Sequence, residues 1–526
     1  MGSKKLQVWL PILFALVMIL GMSIGFKLRE NAGAMSFFKI SKQTPVQEVL
    51  ELIDARYVDK LTNDSLSQTA IEQILEKLDP HSVYIPASDL KYANEDLEGN
   101  FEGIGVEFQV FYDTVNVVNV LKDGPSFKAG LQVGDKIVKV NDTINLVKSN
   151  PEKIRRSLRG PRGSEVKVTI VRSGQLKNFT ISRGTIPLPA VDAAYIIQPK
   201  TGYIHLGKFS ETAYEEFMQS LEKLQKSGID KLILDLRGNG GGFMKEAVQI
   251  ADEFLDDDKL IVYTQGNHVK KQEERARREG LFEKGKLVIL IDETSASASE
   301  VLAGALQDWD RATIAGRRSF GKGLVQEQYQ LSDGSALRLT VARYYTPLGR
   351  NIQKPYTQGR AKYEEELMER YHNGEVVYGD TSKHQTQPYK TPGGRTVYGG
   401  GGITPDVFVG ADSGQMDKTI ASLYRKGTLS NFIYNYYVAN LSMFNKFKDP
   451  ISFSKQFDFG ETQWTALKNF AAKDSIQLDN VSLTDKSETL QRMEMLMARQ
   501  IWRSEGYYQV YNQTDKAIKK ALDILK

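Results

Sequence analysis

The feature that most constrains the fold is a short apolar run that occurs twice, each time followed by a turn and a helical stretch. Residues 231–236 (KLILDL) and 286–291 (KLVILI) are too short for helices and have the composition of buried strands. Helical periodicity follows over 243–255 and 302–309, before a third strand at 312–316. This alternation predicts a layered sheet with crossover helices.

A second region, 97–184, shows the alternation of apolar and polar residues that is typical of strands. Strands are predicted within 101–120 and at 136–140 and 166–171, with one short helix over 151–158. We therefore predict a β-rich domain here.

The flanking regions differ in character. Residues 41–96 and 411–526 carry apolar residues at helical spacing, whereas 354–402 is polar and rich in Tyr, Gly and Gln. We predict helices in the first two and a long loop in the third. The whole chain is thus predicted to be a multidomain α/β and α+β protein, with a layered core over 185–410 and a helical C-terminal extension over 411–526.

Composition excludes several classes of function. Lys and Arg total 69 against 65 Asp and Glu, and a net charge of +4 over 526 residues indicates no nucleic-acid partner. The chain has no cysteine, which excludes disulfides, thiolate metal sites and a cysteine nucleophile. No GxSxG or HExxH motif accompanies its five histidines, so neither a Ser-His-Asp triad nor a zinc peptidase is indicated.

An uncharged apolar run occupies residues 6–26. At about 1.5 Å per residue it could cross an apolar layer about 30 Å thick. Lys4 and Lys5 precede it, which predicts a cytoplasmic N-terminus and an exported remainder. We expect residues 1–30 to be a cytoplasmic stub and a transmembrane helix that contacts the lipid bilayer. A cleaved signal peptide is the alternative, with an Ala-x-Ala site at 32–34.

Three segments of the layered region could carry chemistry. A glycine loop, 237–242 (RGNGGG), follows the first buried strand and would bring main-chain amides close to a ligand. Ser297 lies in 294–300 (TSASASE), where small neighbours would expose its hydroxyl at a helix N-terminus. Lys322 lies between two glycines in 320–326 (FGKGLVQ). Each segment alone has an ordinary structural explanation, and only their order and spacing favour a catalytic site.

Residues 123–142 (DGPSFKAGLQVGDKIVKVND) combine a turn, a short helix, a second turn and a strand. Together with a preceding GIGV loop, this arrangement resembles a PDZ domain over 97–184. The resemblance implies that backbone N–H groups bind the C-terminal carboxylate of a peptide, which adds as a strand to a sheet edge. The loop that would offer them consists of Gly103, Ile104, Gly105 and Val106.

Four segments in order, LDLRGNGGG, SASASE, FGKGLVQ and GGGITPD, resemble the C-terminal processing (tail-specific) serine peptidases, of the membrane-anchored bacterial kind with one PDZ domain. The resemblance implies a Ser-Lys dyad in which Ser297 is the nucleophile, Lys322 the general base and Gln326 the residue that holds the lysine. It leaves open which glycine of the loop contributes to the oxyanion hole. The implied main-chain donors are Ala298 and either Gly241 or Gly242.

Such a dyad sets a physical requirement on Lys322. A free lysine has a pKa near 10.4, so lowering it to about 7.5 costs roughly 4 kcal/mol, which must come from burial. We therefore expect a buried Lys322 with no carboxylate beside it and a neutral hydrogen bond to Gln326. The implied chemistry requires no metal and no other cofactor.

The resemblance also implies a substrate class and a location. The substrates would be exported proteins or peptides with an apolar free C-terminus. The catalytic part would lie in the periplasm, anchored to the inner membrane of a bacterial cell envelope. Two other functions stay open, a catalytically silent PDZ scaffold and a non-hydrolytic α/β binding protein. A homo-oligomer is also open, because aromatic residues of the extension could form an assembly face, although we favour a core for them: Trp464, Trp502, Tyr507 and Tyr508.

Overall fold

The computed structural model describes residues 3–31, 44–59, 63–379, 387–412 and 416–526. The chain divides into two compact units, Met1–Gln73 and Ile74–Lys526. Three helices come first: α1 (Ser3–Asn31), α2 (Pro45–Arg56) and α3 (Asn63–Leu75).

Helix α1 covers the apolar run predicted at 6–26, and its described apolar side chains, such as Leu13 and Phe14, are exposed. Among the helices whose side chains are described, none is long and apolar enough to cross a membrane. The transmembrane helix therefore stays a prediction. The alternative cleavage site at 32–34 lies outside the described residues.

The next part of the chain is mostly β structure. Five strands form the sheet β3-β4-β5-β7-β8, with β6 beside β5, so that β3 and β8 are its edges. The predicted helix begins as expected, because the Asn150 side chain accepts the backbone N–H of Lys153 at 2.8 Å. The elements are β1 (Val83–Ile85), α4 (Ala87–Glu98), β2 (Asn100–Gly103), β3 (Val106–Phe111), β4 (Thr114–Val120), α5 (Pro125–Ala129), β5 (Lys136–Val140), β6 (Ile144–Asn145), α6 (Pro151–Leu158), β7 (Glu165–Arg172), β8 (Gln175–Ser182) and β9 (Gly184–Pro187).

The layered core follows. Its elements are β10 (Val191–Gln198), β11 (Thr201–Leu206), α7 (Ala213–Lys226), β12 (Lys231–Asp235), α8 (Met244–Asp252), β13 (Leu260–Gln265), β14 (Gln272–Arg275), β15 (Lys286–Ile291), α9 (Ala298–Asp308), β16 (Thr313–Gly316), β17 (Leu324–Gln330), β18 (Ala336–Tyr345), α10 (Arg360–His372), α11 (Glu375–Tyr378), β19 (Pro388–Lys390), β20 (Thr396–Tyr398) and β21 (Val407–Phe408).

The central sheet has the order β10-β11-β12-β15-β16-β21, and β11, β12, β15 and β16 are parallel neighbours. Parallel strands end at the same edge of a sheet, so the turns that follow β12 and β15 lie side by side. Those two turns contain the glycine loop and Ser297. A second sheet, β1-β18-β13-β14, also pairs β17 with β18 and so carries Gln326.

The prediction of a long loop over 354–402 is wrong. This segment contains α10, α11 and the hairpin β19-β20. Helix α10 has only two buried side chains, Tyr363 and Arg370, so its sequence shows little apolar periodicity. Ion pairs hold it in place, among them that of Lys354 with Glu366 at 2.8 Å.

The C-terminal extension is helical, as predicted. Trp464 is buried in its hydrophobic core, and Trp502 and Tyr507 pack against that core, which confirms a core rather than an assembly face for these residues. Helix α17 is interrupted by non-helical backbone at Trp502 and Arg503. The elements are α12 (Lys418–Arg425), α13 (Thr428–Ala439), α14 (Leu441–Phe444), α15 (Pro450–Gln456), α16 (Glu461–Ala471), a 3₁₀ turn (Ala472–Asp474), α17 (Leu483–Tyr511) and α18 (Lys516–Ile524).

The last helix belongs to the core architecture. Ala517, Ile518 and Ala521 of α18 are buried together with Tyr203 and Leu290 of the central sheet. Helices α7, α8 and α9 cover the other face of that sheet. The end of the extension therefore completes the second helical layer, and Tyr508 packs there too.

Candidate active site

The glycine loop is fixed by hydrogen bonds to the end of β11, to the turn after β15 and to the first turn of α9. Asn239 Nδ2 donates to Leu206 O at 2.8 Å, and Ser299 Oγ donates to Asn239 O at 2.9 Å. The Gly238 N–H lies 3.2 Å from both carboxylate oxygens of Asp292. The loop therefore has a defined position relative to the start of α9.

Two glycines of this loop cannot be replaced without a clash. Gly241 has φ +101°, and a Cβ there would lie 2.8 Å from the Cβ of Ser297. Gly242 has φ +143°, and a Cβ there would lie 2.2 Å from Phe209 O. The missing side chains let the loop backbone approach the candidate nucleophile directly.

Ser297 is the N-cap of α9 and has a strained backbone. Its φ and ψ are +55° and −113°, a region that costs a non-glycine residue about 1–3 kcal/mol. Helix α9 is buried along its whole length and holds the serine rigidly. Such strain is stored at functional sites more often than elsewhere.

Glu300, which the sequence reasoning missed, binds both Ser297 and Lys322. Its Oε2 accepts the Ser297 N–H at 2.9 Å and the Lys322 N–H at 2.8 Å. Its Oε1 accepts the Gly321 N–H at 2.7 Å and the Ser319 hydroxyl at 2.5 Å. Burial raises the pKa of Glu300, against the effect of these four donors. The sequence did contain a signal, because Ser297 and Glu300 fit the capping-box spacing S-x-x-E.

Tyr344 joins the same two residues from the other side. Its buried hydroxyl lies 2.6 Å from Lys322 O and 3.1 Å from Ser297 O. The tyrosine belongs to β18, far from both residues in sequence, and no motif marked it. Ser297 and Lys322 are thus brought together through their main chains, at the N–H groups and at the carbonyls.

Lys322 is partly buried, and burial lowers its pKa, assisted by the positive charge of Arg338. The direction agrees with the requirement for a neutral base. Across the described parts of the chain, its Nζ forms no ion pair. The expectation that no carboxylate lies beside it is wrong, because Glu300 binds its backbone N–H. Glu300 and Asp79 both oppose the decrease in the pKa of Lys322.

The structure does not show the predicted hydrogen bond between Gln326 and Lys322. Instead, Gln326 Nε2 donates to His81 O at 3.1 Å. The β17–β18 register shifts between Val325 and Gln326. Burial, together with Lys322, lowers the pKa of His81 to about 4, so that this histidine is neutral beside the site.

The hydrogen bonds of the loop distinguish between the two oxyanion candidates. The Gly241 N–H is already bound to Asn239 Oδ1 at 2.9 Å. Within the described residues, the N–H groups of Gly242 and Ala298 have no partner. This favours Gly242 as the glycine donor, together with Ala298 at the N-terminus of α9.

A cavity of about 590 Å³ lies in the β-rich domain, between β3 and α6. The Gly103–Val106 segment lines it, as do Phe108 and Leu158. Gly427 and Ser430 of the extension also contribute to the wall. The cavity thus runs along the free edge of β3, where an added strand would pair. No group of three or more acidic or histidine side chains that could hold a metal occurs in the described ranges.

Comparison with known proteins places this architecture in a family. Residues 200–361 match the model of peptidase family S41, and 103–182 match that of the PDZ domain. The carboxy-terminal-processing protease of Bartonella bacilliformis is 36% identical over 344 residues, which cover 64% of this chain and 78% of that protein. The chain belongs to peptidase family S41. Its PDZ domain and its similarity to carboxy-terminal-processing proteases agree with the resemblance inferred from sequence.

Other similar proteins match a smaller share of the chain or only its general architecture, or have no described function. A probable CtpA-like serine protease of Staphylococcus epidermidis is 35% identical over 310 residues, or 58% of this chain and 62% of that protein. The match therefore spans less than two thirds of that relative. The photosystem II D1 C-terminal processing protease, a solved structure, is 26% identical with a TM-score of 0.36, over 69% of this chain and 92% of that one. Residues 419–503 match a family of unknown function.

Proposed function

We propose that this S41 chain is a serine endopeptidase that binds the C-terminal tail of a protein substrate in its PDZ domain and cleaves the substrate with a Ser-Lys dyad. The observation that carries the proposal is the double connection of Ser297 to Lys322 through Glu300 and Tyr344, next to the glycine loop. The connection uses only backbone groups of the dyad and leaves both reactive side chains free.

The first half of the reaction is acyl transfer to the enzyme. Neutral Lys322 Nζ takes the proton of the Ser297 hydroxyl as Oγ attacks the peptide carbonyl. The negative oxygen of the tetrahedral intermediate is stabilised by the N–H groups of Ala298 and Gly242. Lys322 then gives its proton to the leaving amine, the C–N bond breaks, and an ester of Ser297 remains.

The second half regenerates the enzyme. Lys322, neutral again, takes a proton from water, and the resulting hydroxide attacks the ester carbonyl. The C–O bond to Ser297 breaks, and the proton on Lys322 returns to Oγ. Gln326 Oε1 receives no hydrogen bond from any described residue, and it would accept one from the Lys322 ammonium.

The PDZ cavity supports an apolar, free C-terminus as the recognised tail. Its walls include Val106, Phe108 and Leu158, and the loop at Gly103 and Ile104 would bind the terminal carboxylate. The relative from Bartonella bacilliformis is named a carboxy-terminal-processing protease. We propose the same chemical class of substrate here.

We further propose that the chain is anchored in the inner membrane of a bacterial cell envelope through residues 6–26, with its catalytic part in the periplasm. The uncharged apolar sequence of that run supports the anchor. The full chain should float with bacterial phospholipid vesicles on a density gradient, and deletion of 6–26 should abolish flotation. Equal flotation of both proteins would contradict the anchor.

The test of the proposed activity compares two protein substrates that differ only in the C-terminal carboxyl group. One protein ends in an apolar tail with a free carboxylate, and the other has the same tail amidated. The full chain in detergent should cleave the free form at least about tenfold faster. Ser297→Ala and Lys322→Ala should abolish cleavage, whereas replacement of the exposed Lys362 by Ala should not.

The results separate the peptidase from its alternative. Turnover that survives Ser297→Ala would contradict the dyad. Tail binding without turnover by the unmutated chain would contradict the peptidase and favour a PDZ scaffold. Equal cleavage of the free and amidated tails would leave a peptidase but contradict recognition of the C-terminus.

A further inference from the structure

The first residue of the glycine loop is bound to the far end of the chain. Arg237 Nη1 donates to both carboxylate oxygens of Asp515, at 3.1 Å each. The two side chains are only 14% and 8% exposed. Asp515 is the N-cap of α18, so this ion pair joins the loop directly to the last helix.

The other nitrogens of the Arg237 guanidinium bind Asp235. Nη2 donates to Asp235 Oδ2 at 2.7 Å, and Nε donates to Oδ1 at 2.9 Å. Asp235 is fully buried and also accepts the Tyr203 hydroxyl at 2.9 Å. The planar guanidinium is therefore fixed between one carboxylate from the core and one from the extension.

A second contact from the extension reaches the backbone of the same residue. The ring of Tyr508 stacks on His205 with centroids 4.2 Å apart, and its hydroxyl lies 2.9 Å from His205 Nε2. That nitrogen lies 3.2 Å from Arg237 O. The extension thus contacts Arg237 twice. Asp515, the N-cap of α18, binds its side chain, and Tyr508 of α17 supports its carbonyl through His205.

This support acts on the part of the loop that would bind an oxyanion. Gly242 follows Arg237 by only a few residues, and its N–H group must lie at hydrogen-bond distance from a transient oxygen. A displacement of about 1 Å in such a donor can cost about 100-fold in rate. The ion pair constrains the position of Arg237 because Nη1 contacts both oxygens of a largely buried carboxylate.

We propose that Asp515 is a positioning residue of the catalytic site, which acts on the glycine loop through Arg237. The extension is then part of the catalytic apparatus. This inference rests on the proposed function, because the loop position matters for catalysis only if the loop binds an oxyanion. The matched family models stop at residues 361 and 503, so neither includes Asp515.

The test uses Asp515→Asn, which removes the charge but keeps the helix cap. The Asp515 side chain accepts the Ile518 N–H at 2.8 Å, and an asparagine oxygen can do the same. Asp523→Asn is the matched control, because Asp523 lies on the same helix, is 59% exposed and pairs with the exposed Lys526.

Two measurements on the full chain decide the proposal. The first is the kinetics of tail cleavage, where Asp515→Asn should lower kcat about 10- to 100-fold and change KM less than about twofold. The second is hydrogen exchange of the amides at 238–243, which should become at least about tenfold faster in Asp515→Asn only. Asp515→Glu should recover part of both properties.

The outcomes are distinct. Unchanged kcat together with unchanged loop exchange in Asp515→Asn would overturn the proposal, as would an increase in KM alone. Absence of cleavage by the unmutated chain would contradict the proposed function, and the exchange measurement would still decide whether Asp515 positions the loop. If Asp515→Asn fails to fold, Asp515→Ser replaces it, because a serine can still cap the helix but carries no charge to pair with Arg237.

Discussion

The backbone N–H groups of Ser297 and Lys322 donate to the same oxygen of Glu300, at 2.9 and 2.8 Å. The hydroxyl of Tyr344 lies within hydrogen-bond distance of the carbonyls of both residues. The relative position of nucleophile and base is therefore set by the main chain. Their side chains need no direct structural contact to be held together, which leaves them available for proton transfer.

Replacement of Glu300 should disturb this arrangement. In Glu300→Gln one acceptor oxygen becomes an NH₂ group that faces hydrogen-bond donors, and each unsatisfied buried donor costs about 1–3 kcal/mol. We expect kcat/KM to fall about 100-fold and the Tm to decrease. Steady-state cleavage and calorimetry would measure these effects, with the exposed Glu327→Gln as control. Full activity of Glu300→Gln would contradict the role of the carboxylate.

Activity should rise with pH through the pKa of Lys322, because only the neutral amine can accept a proton. Arg338 lowers this pKa, after the larger effect of burial. In Arg338→Gln the pKa should rise and the midpoint of the kcat/KM profile should move to higher pH. Rates measured between about pH 6 and about pH 10 would show the shift. Arg343→Gln, an exposed change on the same strand, should leave the midpoint in place.

Lys322 should lower the stability of the folded chain at neutral pH. Its folded pKa is below the unfolded value, so below about pH 10.5 the unfolded chain binds more protons at this site. This proton binding stabilises the unfolded chain relative to the folded one. Lys322→Met should therefore raise the Tm by about a few degrees at pH 7 while it abolishes cleavage. The increase should shrink as the pH approaches 10.5. Exposed Lys153→Met is the control, and an equal effect of both changes would contradict the explanation.

Gly240 and Gly242 of the loop should respond differently to replacement by alanine. A Cβ at Gly242 would lie 2.2 Å from Phe209 O, whereas a Cβ at Gly240 meets nothing within 4 Å. Gly242→Ala should reduce kcat at least about 100-fold, because the backbone must move and carries the oxyanion donor with it. Gly240→Ala should remain within about twofold of the unmutated chain. Similar rates for both variants would contradict the assigned donor.

A bulky charge in the PDZ cavity should weaken recognition of the tail without damage to the chemistry. Val106→Arg places such a side chain on β3, and we expect KM for a free-tail protein to rise about tenfold with kcat unchanged. Leu176→Arg is the control, because Leu176 is 71% exposed on β8, at the opposite edge of the same sheet. Equal KM values in the two variants would show that the cavity does not bind the tail.

The central strands were predictable because their signals are local. β12 and β15 begin at Lys231 and Lys286, as predicted from the sequence. A short apolar run indicates a buried strand whatever its neighbours in the sheet are. The positive φ of Gly241 and Gly242 requires glycine but could not be predicted from it, because Gly240 in the same loop does not have a positive φ. Helix α10 was missed because tertiary ion pairs of Glu366 with Arg318 and Lys354, rather than an apolar face, stabilise it.

The unpredicted parts of the site depend on contacts between residues distant in sequence. Tyr344 reaches Ser297 and Lys322 only because β18 folds back beside β17. Gln326 binds the carbonyl of His81, 245 residues away, and no local pattern encodes that partner. Glu300 was within reach of sequence reasoning, since its spacing from Ser297 is that of a capping box.

The ion pair between Arg237 and Asp515 joins residues 278 positions apart. The two partners are therefore synthesised at different times. A ribosome releases the chain from its N-terminus, at about 5–20 residues per second. The glycine loop and the nucleophile therefore emerge well before Asp515, and a chain cut short before that residue has no such partner for the loop. If Asp515 positions the loop as proposed, the site reaches full activity only after residue 515 has been made, so that an unfinished chain cleaves the proteins around it more slowly than the finished one does.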